Sequence, residues 1–117
     1  MDSLVKKINK YEKLVVGFLQ ERAKIKAANV KDCENIVISD TSNHNYQLLT
    51  VGWIASRYVH SISFHLSIAE NGKIWIRANW TDIDIAEFLE EHGVPKTDIV
   101  LGFFPAYMRE MSDYAVA

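Results

Sequence analysis

The hydrophobic period of the chain changes near residue 33. Before it, Leu4, Ile8, Tyr11, Val15, Phe18 and Ile25 recur at spacings of three, four or seven, which is one stripe of a long helix. Asp2 or Ser3 offers a cap for its start. Lys6, Lys10, Lys13, Glu21 and Lys24 fall on the other side, so the helix is expected to lie on a sheet with its lysines in water. Asn29 to Asp32 reads as a polar break. From Cys33 the period drops to two, with strand-like runs over 34–40, 46–55, 58–69 and 73–79. In the third run, Ile62, Phe64, Leu66 and Ile68 are predicted to face the core and Ser61, Ser63, His65 and Ser67 its reverse.

The phase of the last two runs selects the turn between them. A two-residue Asn-Gly loop would oppose Ile74 to Ala69 and Ile76 to Ser67, leaving both isoleucines on the polar face. A three-residue loop with Gly72 left-handed opposes Ile74 to Ile68 and Ile76 to Leu66, so this register is predicted. It places Lys73, Trp75 and Arg77 beside Ser67 and His65 on the reverse face. A tryptophan between two cations is unusual for plain solvent exposure. Either the C-terminal segment covers it, or the face meets a partner protein or a second copy.

Thr81 with Asp84 fits a capping box, followed by the stripe Ile85, Phe88, Leu89 and His92 and a stop at Gly93. Pro95 forbids continuation, Ile99 to Leu101 reads as a short extended piece, and Pro105 suits the first residue of a final short helix. Tyr114 to Ala117 either tucks against the body or frays. The pattern describes an α+β fold, one domain over 1–117: an antiparallel sheet of about four strands, the long N-terminal helix packed on it, and shorter helices towards the C-terminus.

Composition changes this picture little. A chain of 117 residues that is 49% apolar is long enough to bury a core without staples, and its one cysteine, Cys33, has no intrachain partner. No apolar run approaches a membrane span and Met1 to Lys10 lacks the apolar centre of a secretory signal, so a cytoplasmic protein is expected. Charge is uneven: residues 1–31 hold eight Lys and Arg against three acids, and residues 32–117 hold five against twelve. The basic helix is therefore either a solvated face or a nucleic-acid contact.

Catalytic chemistry is not visible. His60 and His65 are an odd number apart on one strand, hence on opposite faces unless a bulge intervenes, and His44 sits in a turn of Thr41, Ser42, Asn43 and Asn45. Asp82 and Asp84 diverge at a helix start, where capping and dipole roles explain them. Cys33 has no histidine assigned to it by sequence, and there is no nucleophile elbow, P-loop, dinucleotide fingerprint or Cys-x-x-Cys pair. No catalytic residue, cofactor or metal ligand is assigned, and the expectation is a protein that is not an enzyme.

GKIWI at 72–76, GVPKTDIVLGF at 93–103 and YAVA at 114–117, with VGW at 51–53 before them, resemble the XisI family, fdxN element excision controlling factors of cyanobacteria. The resemblance runs from the lysine-rich helix to the last residue and is most specific from Gly72 onward. It implies the XisI-like α+β domain and an accessory role in excision of a DNA element by a site-specific recombinase. It further implies a partner, the XisH-like protein, which resembles a nuclease fold. Relatives are expected to carry a polar residue where Phe104 stands. The partner surface expected from these readings comprises His65, Lys73, Trp75, Arg77, Phe103, Phe104 and Arg109. The alternative is weak DNA contact through Lys6, Lys10 and Lys13, and self-association through sheet edges is left open.

Overall fold

The computed structural model describes residues 2–25 and 32–117, so the polar break, apart from Asp32, and the lysines at 26 and 31 lie outside the described residues. The cap proposed on the Asp2 side chain lies outside them as well. Helix α1 spans Asp2–Ala23, and the strands are β1 (Asp32–Asp40), β2 (Asn45–Ile54), β3 (Arg57–Ile68), β4 (Ile74–Asn79) and β5 (Ile99–Leu101). Helix α2 (Ile85–Glu91) and a single 3-10 turn (Lys96–Asp98) connect β4 to β5, and α3 (Ala106–Arg109) follows. Strand order is β1-β2-β3-β4-β5. The first four strands form the antiparallel meander, and the short extended piece at Ile99 joins as a fifth strand, parallel to β4.

One face of the sheet holds the core. Tyr11, Val15, Phe18 and Leu19 of α1 are buried there against Tyr46, Leu48, Phe64, Leu66, Ile74 and Ile99, with Ile85 and Leu89 of α2 closing one side. The ring of Phe18 meets Phe64 edge-on at 5.3 Å and Phe88 at 4.7 Å, a geometry favoured by the aromatic quadrupole. The two ends of the predicted α1 stripe do not reach this core. Leu4, beside Gly72 in the β3–β4 turn, is 39% exposed, and Ile25, beyond the end of the helix at Ala23, is 57% exposed.

The predicted hairpin register is present: Leu66 opposes Ile76, Ser67 opposes Trp75 and Ile68 opposes Ile74. Gly72 has φ 85°, and its N–H donates to the Ala69 carbonyl at 2.8 Å. Two irregularities were not predicted. Between β2 and β3 the register shifts, so that Leu48 opposes Phe64 while Leu49 opposes Ile62, with Ser63 as the extra residue. This lets the adjacent Leu48 and Leu49 both be buried on opposite faces, but it turns Ile62 to the reverse face, where it is 37% exposed. The second shift, beside His65, leaves Arg77 as the extra residue of β4.

The α2 cap also differs from expectation. Asp84, not Thr81, is the N-cap: its carboxylate accepts the Glu87 N–H at 3.0 Å. Thr81 instead shapes the approach, its hydroxyl donating to Asn79 Oδ1 at 2.6 Å and accepting from the Ile83 N–H at 3.1 Å. Gly93 ends α2 with φ 91°, and Pro105 precedes α3 as its N-cap.

Candidate functional site

Trp75 is the centre of the reverse face at its C-terminal end. Because Trp75 is two residues from Arg77 on β4, both side chains leave the core side, and the Arg77 guanidinium lies 4.5 Å from the indole centre. Its Nε donates to Ser67 Oγ at 3.0 Å, which fixes the guanidinium in place. The second cation is not Lys73, as neighbouring positions suggest, but Arg109 from α3, at 5.3 Å from the ring centre. Arg109 is itself held by donating from Nη1 to the Phe104 carbonyl at 2.6 Å and from Nε to the Val116 carbonyl at 2.7 Å. Lys73 Nζ donates instead to the Ala117 carbonyl at 2.5 Å.

The C-terminal segment therefore does pack on this face, and the tail is tucked. Ala115 donates its N–H to the Ile99 carbonyl at 2.9 Å and bridges Val100 outside β5. Trp75 is only half-covered by this packing. Gly102 makes the closest approach, since a Cβ there would stand 2.9 Å from Trp75 Cε3 and 3.2 Å from the Ile76 carbonyl. Phe103 follows, 48% exposed, with its ring tilted against Phe104 and the ring centres 4.5 Å apart. Tyr107 and Met111, which sequence reasoning passed over, are also exposed on the same C-terminal segment, at 67% and 81%. No helical period joins them to Phe103, because α3 spans only Ala106–Arg109.

His65 stands at the inner border of this surface, with Nε2 3.0 Å from Asn45 Oδ1. Burial, with the nearby Arg77 charge, pushes its pKa below the usual histidine range, so the imidazole is neutral at neutral pH. The bulge at Ser63 overturns the expectation that His60 and His65 face opposite ways. Their partners Val51 and Gln47 share the reverse face. Four residues of strand, roughly 13 Å, still separate the two rings. Among the described residues no group of three or more His, Cys, Asp or Glu gathers in a metal-binding arrangement. Cys33 is buried and its thiol donates weakly to the Trp53 carbonyl at 3.5 Å.

Two polar clusters pin α1 to the rest of the fold. Tyr46 donates to Glu12 Oε1 at 2.5 Å, with His44 Nδ1 2.9 Å from the same hydroxyl. Tyr11 donates to Asp98 Oδ2 at 2.6 Å, and Lys7 Nζ donates to Asp98 Oδ1 at 3.0 Å. Burial and the adjoining carboxylate hold both tyrosines protonated far above the ordinary tyrosine range. Tyr114, donating to Glu90 Oε2 at 2.9 Å, is pushed up to about 12 for the same two reasons. Since each folded-state pKa exceeds the unfolded value of about 10, the stabilisation is complete below pH 10. For Tyr114 it is lost as the pH rises from about 10 to about 12. Alkaline titration by tyrosinate absorbance is expected to show three of the five tyrosines resisting ionisation until the protein unfolds.

Lys6, Lys10 and Lys13 are exposed on α1 and make no ion pair with a described residue. Lys7, one turn away, is instead committed to Asp98. Among the described residues no helix is long and apolar enough to cross a membrane.

The sequence matches the XisI protein family over residues 5–116. The chain belongs to the XisI family. A XisI-like protein from Anabaena variabilis ATCC 29413 is 38% identical and superposes with a TM-score of 0.86, covering 94% of this chain and 99% of that one. The fdxN element excision controlling factor XisI from the same organism is 28% identical, with a TM-score of 0.79 over 95% of this chain and 99% of that one. No curated protein matches the sequence at a significant level. The family-bearing segments meet in space: GKIWI supplies β4 with Trp75, GVPKTDIVLGF supplies β5 and Gly102, and YAVA bridges β5 from outside.

Proposed function

We propose that this XisI protein is a non-enzymatic accessory factor that controls excision of a DNA element by gripping a partner protein, an XisH-like factor, through the Trp75 surface. The observation that carries this reading is the indole of Trp75 with two arginines against its ring. Two guanidinium groups lie within 4.5 Å and 5.3 Å of the Trp75 ring centre and are already fixed by Ser67, Phe104 and Val116, with exposed Phe103, Tyr107 and Met111 on the adjoining segment. Aromatic and arginine side chains held in place before binding lose little conformational entropy on association, which is why they concentrate the energy of interfaces. A site-specific recombinase is the further partner through which such control would be exerted.

Titration calorimetry against the co-expressed XisH-like neighbour tests the surface. Trp75→Ala and Arg77→Glu are each expected to weaken binding at least about tenfold, or 1.4 kcal/mol. Trp75 also packs on Gly102, so Tyr107→Glu, at a fully peripheral position, supplies a variant that leaves the fold untouched. Unchanged affinity in all three would remove the surface assignment.

The second reading is weak DNA contact through the exposed Lys6, Lys10 and Lys13, spaced along one face of α1. Such contact would be made to backbone phosphates and would fall steeply with salt. The reading is abandoned if a Lys6→Glu, Lys10→Glu, Lys13→Glu triple variant binds DNA at low salt as the unaltered chain does.

A further inference from the structure

Strand β3 outruns its neighbour. Strand β4 pairs with β3 only from Ile68 back to Phe64, and the Trp80 N–H closes the ladder on the Ser63 carbonyl at 3.0 Å. Residues Arg57 to Ile62 are bonded to β2 on one edge, while no strand among the described residues pairs their other edge. Natural sheet edges of this length are guarded by proline, lysine or covering loops. The segment Arg-Tyr-Val-His-Ser-Ile carries neither proline nor lysine, its guards being Arg57 at one end and the Ser63 bulge at the other, and Tyr58 is 54% exposed and Ile62 37% exposed. At its base a notch of about 480 Å³ opens between His60, Ser61, Ile62, Ser63 and Trp80, whose indole is 83% exposed.

The chain has surface to spare for such an occupant. A monomer of 13.4 kDa exposes roughly 6,500 Å². The chain exposes 7400 Å². The chain thus exposes about 900 Å² more than a compact monomer of its mass, enough surface to bury the roughly 800 Å² that one partner contributes to a standard interface. The radius of gyration, 15.3 Å, likewise exceeds the roughly 13 Å of a compact chain of this length, with a long axis of 49 Å.

We infer that a second copy of the chain pairs with this edge, β3 to β3 and antiparallel, joining two sheets through the Arg57–Ile62 segment around a two-fold axis. Each edge supplies the backbone donors and acceptors the other lacks, and each Trp80 closes over the partner strand in the notch. Arg57 is the only permanently charged residue of the segment and lies at its far end, so the antiparallel arrangement keeps the two guanidinium groups apart. A two-fold pairing also closes on itself, so assembly stops at two copies. This surface is separate from the Trp75 end of the molecule and leaves that site free.

Sedimentation equilibrium of the full chain at micromolar concentration, with hydrogen exchange, tests the inference. The expected mass is twice 13.4 kDa, with Arg57–Ile62 amides protected more strongly as concentration rises. Ile62→Lys and Tyr58→Lys, both at exposed positions, are expected to raise the dissociation constant at least tenfold each while leaving the far-ultraviolet dichroism unchanged. A chain of monomeric mass throughout would overturn the pairing. So would a dimer indifferent to both lysines, or an open ladder of species, which would mark head-to-tail addition of this edge to the outer edge of β1.

Discussion

Replacing Gly52 with alanine is expected to cost about 3 kcal/mol or more of stability, the scale of overpacking combined with a strained backbone. Gly52 has φ 141°, a conformation that side chains rarely adopt. A Cβ there would stand 2.1 Å from the Asp32 carbonyl oxygen and 2.7 Å from Cys33 Cα. These are backbone atoms of the paired strand, so no rotamer change relieves the clash; β1 must move away from β2. Thermal unfolding by circular dichroism should show the midpoint lowered by roughly 10 °C or more. Gly17→Ala is the contrasting control. It sits in mid-helix with open space around its Cα, and alanine there should stabilise by about 0.5 to 1 kcal/mol. A Gly52→Ala protein melting within a degree or two of the unaltered chain would contradict the Cys33–Gly52 pairing.

The parts of the fold that were legible in the sequence are those where several local constraints agree. The β3–β4 register follows from three of them together: alternation in Ile62 to Ile68, alternation in Ile74 to Ala78, and a glycine placed to be left-handed. The bulge at Ser63 was not legible because the alternation runs through it unbroken. Its cause lies on the neighbouring strand, where Leu48 and Leu49 are consecutive and both need burial. That one displaced residue turned Ile62 and His60 to the face opposite the one their spacing implied. Strand β5 was visible only as an extended piece, since three residues are too few to show a period or a pairing direction.

At the candidate site the sequence marks Trp75 as unusual because Lys73 and Arg77 flank it on a polar face, and of these two only Arg77 lies against the ring. Arg77 was visible as its neighbour on the strand. The second guanidinium at the indole comes from Arg109, brought there by the fold rather than by proximity in the chain, and no local pattern encodes that. Lys73, adjacent in sequence, is drawn away to the Ala117 carbonyl. Asp84 was recognised at the start of α2 but given the wrong place in the cap, because Thr81 satisfies the same sequence pattern while serving the turn before it.

Asp98→Ala is the second substitution expected to have a large effect, about 3 kcal/mol, the scale for removing one member of a buried, hydrogen-bonded charge pair. Asp98 is 9% exposed and lies just before β5, yet it accepts from two residues of α1, Tyr11 and Lys7. Its loss leaves the Tyr11 hydroxyl, on a residue 4% exposed, without its acceptor, and leaves the Lys7 ammonium without its countercharge. Asp98→Asn retains an acceptor for Tyr11 and should recover about half of the loss, measured by urea unfolding. Lys7→Met removes only the half-exposed partner and should cost about 1 kcal/mol or less. The double variant Lys7→Met, Asp98→Ala should then be less destabilised than the sum of the two, because the orphaned charge is gone. The consequence extends to the Trp75 surface. Asp98 anchors the start of β5, β5 places Gly102 against the indole, and Gly102 begins the segment that brings Arg109 over it. Asp98→Ala should therefore weaken partner binding as well as stability, whereas Lys7→Met should leave binding intact. Full stability in Asp98→Ala would show that the contacts with α1 are incidental, and undiminished binding in a destabilised protein would show that β5 holds its position without them.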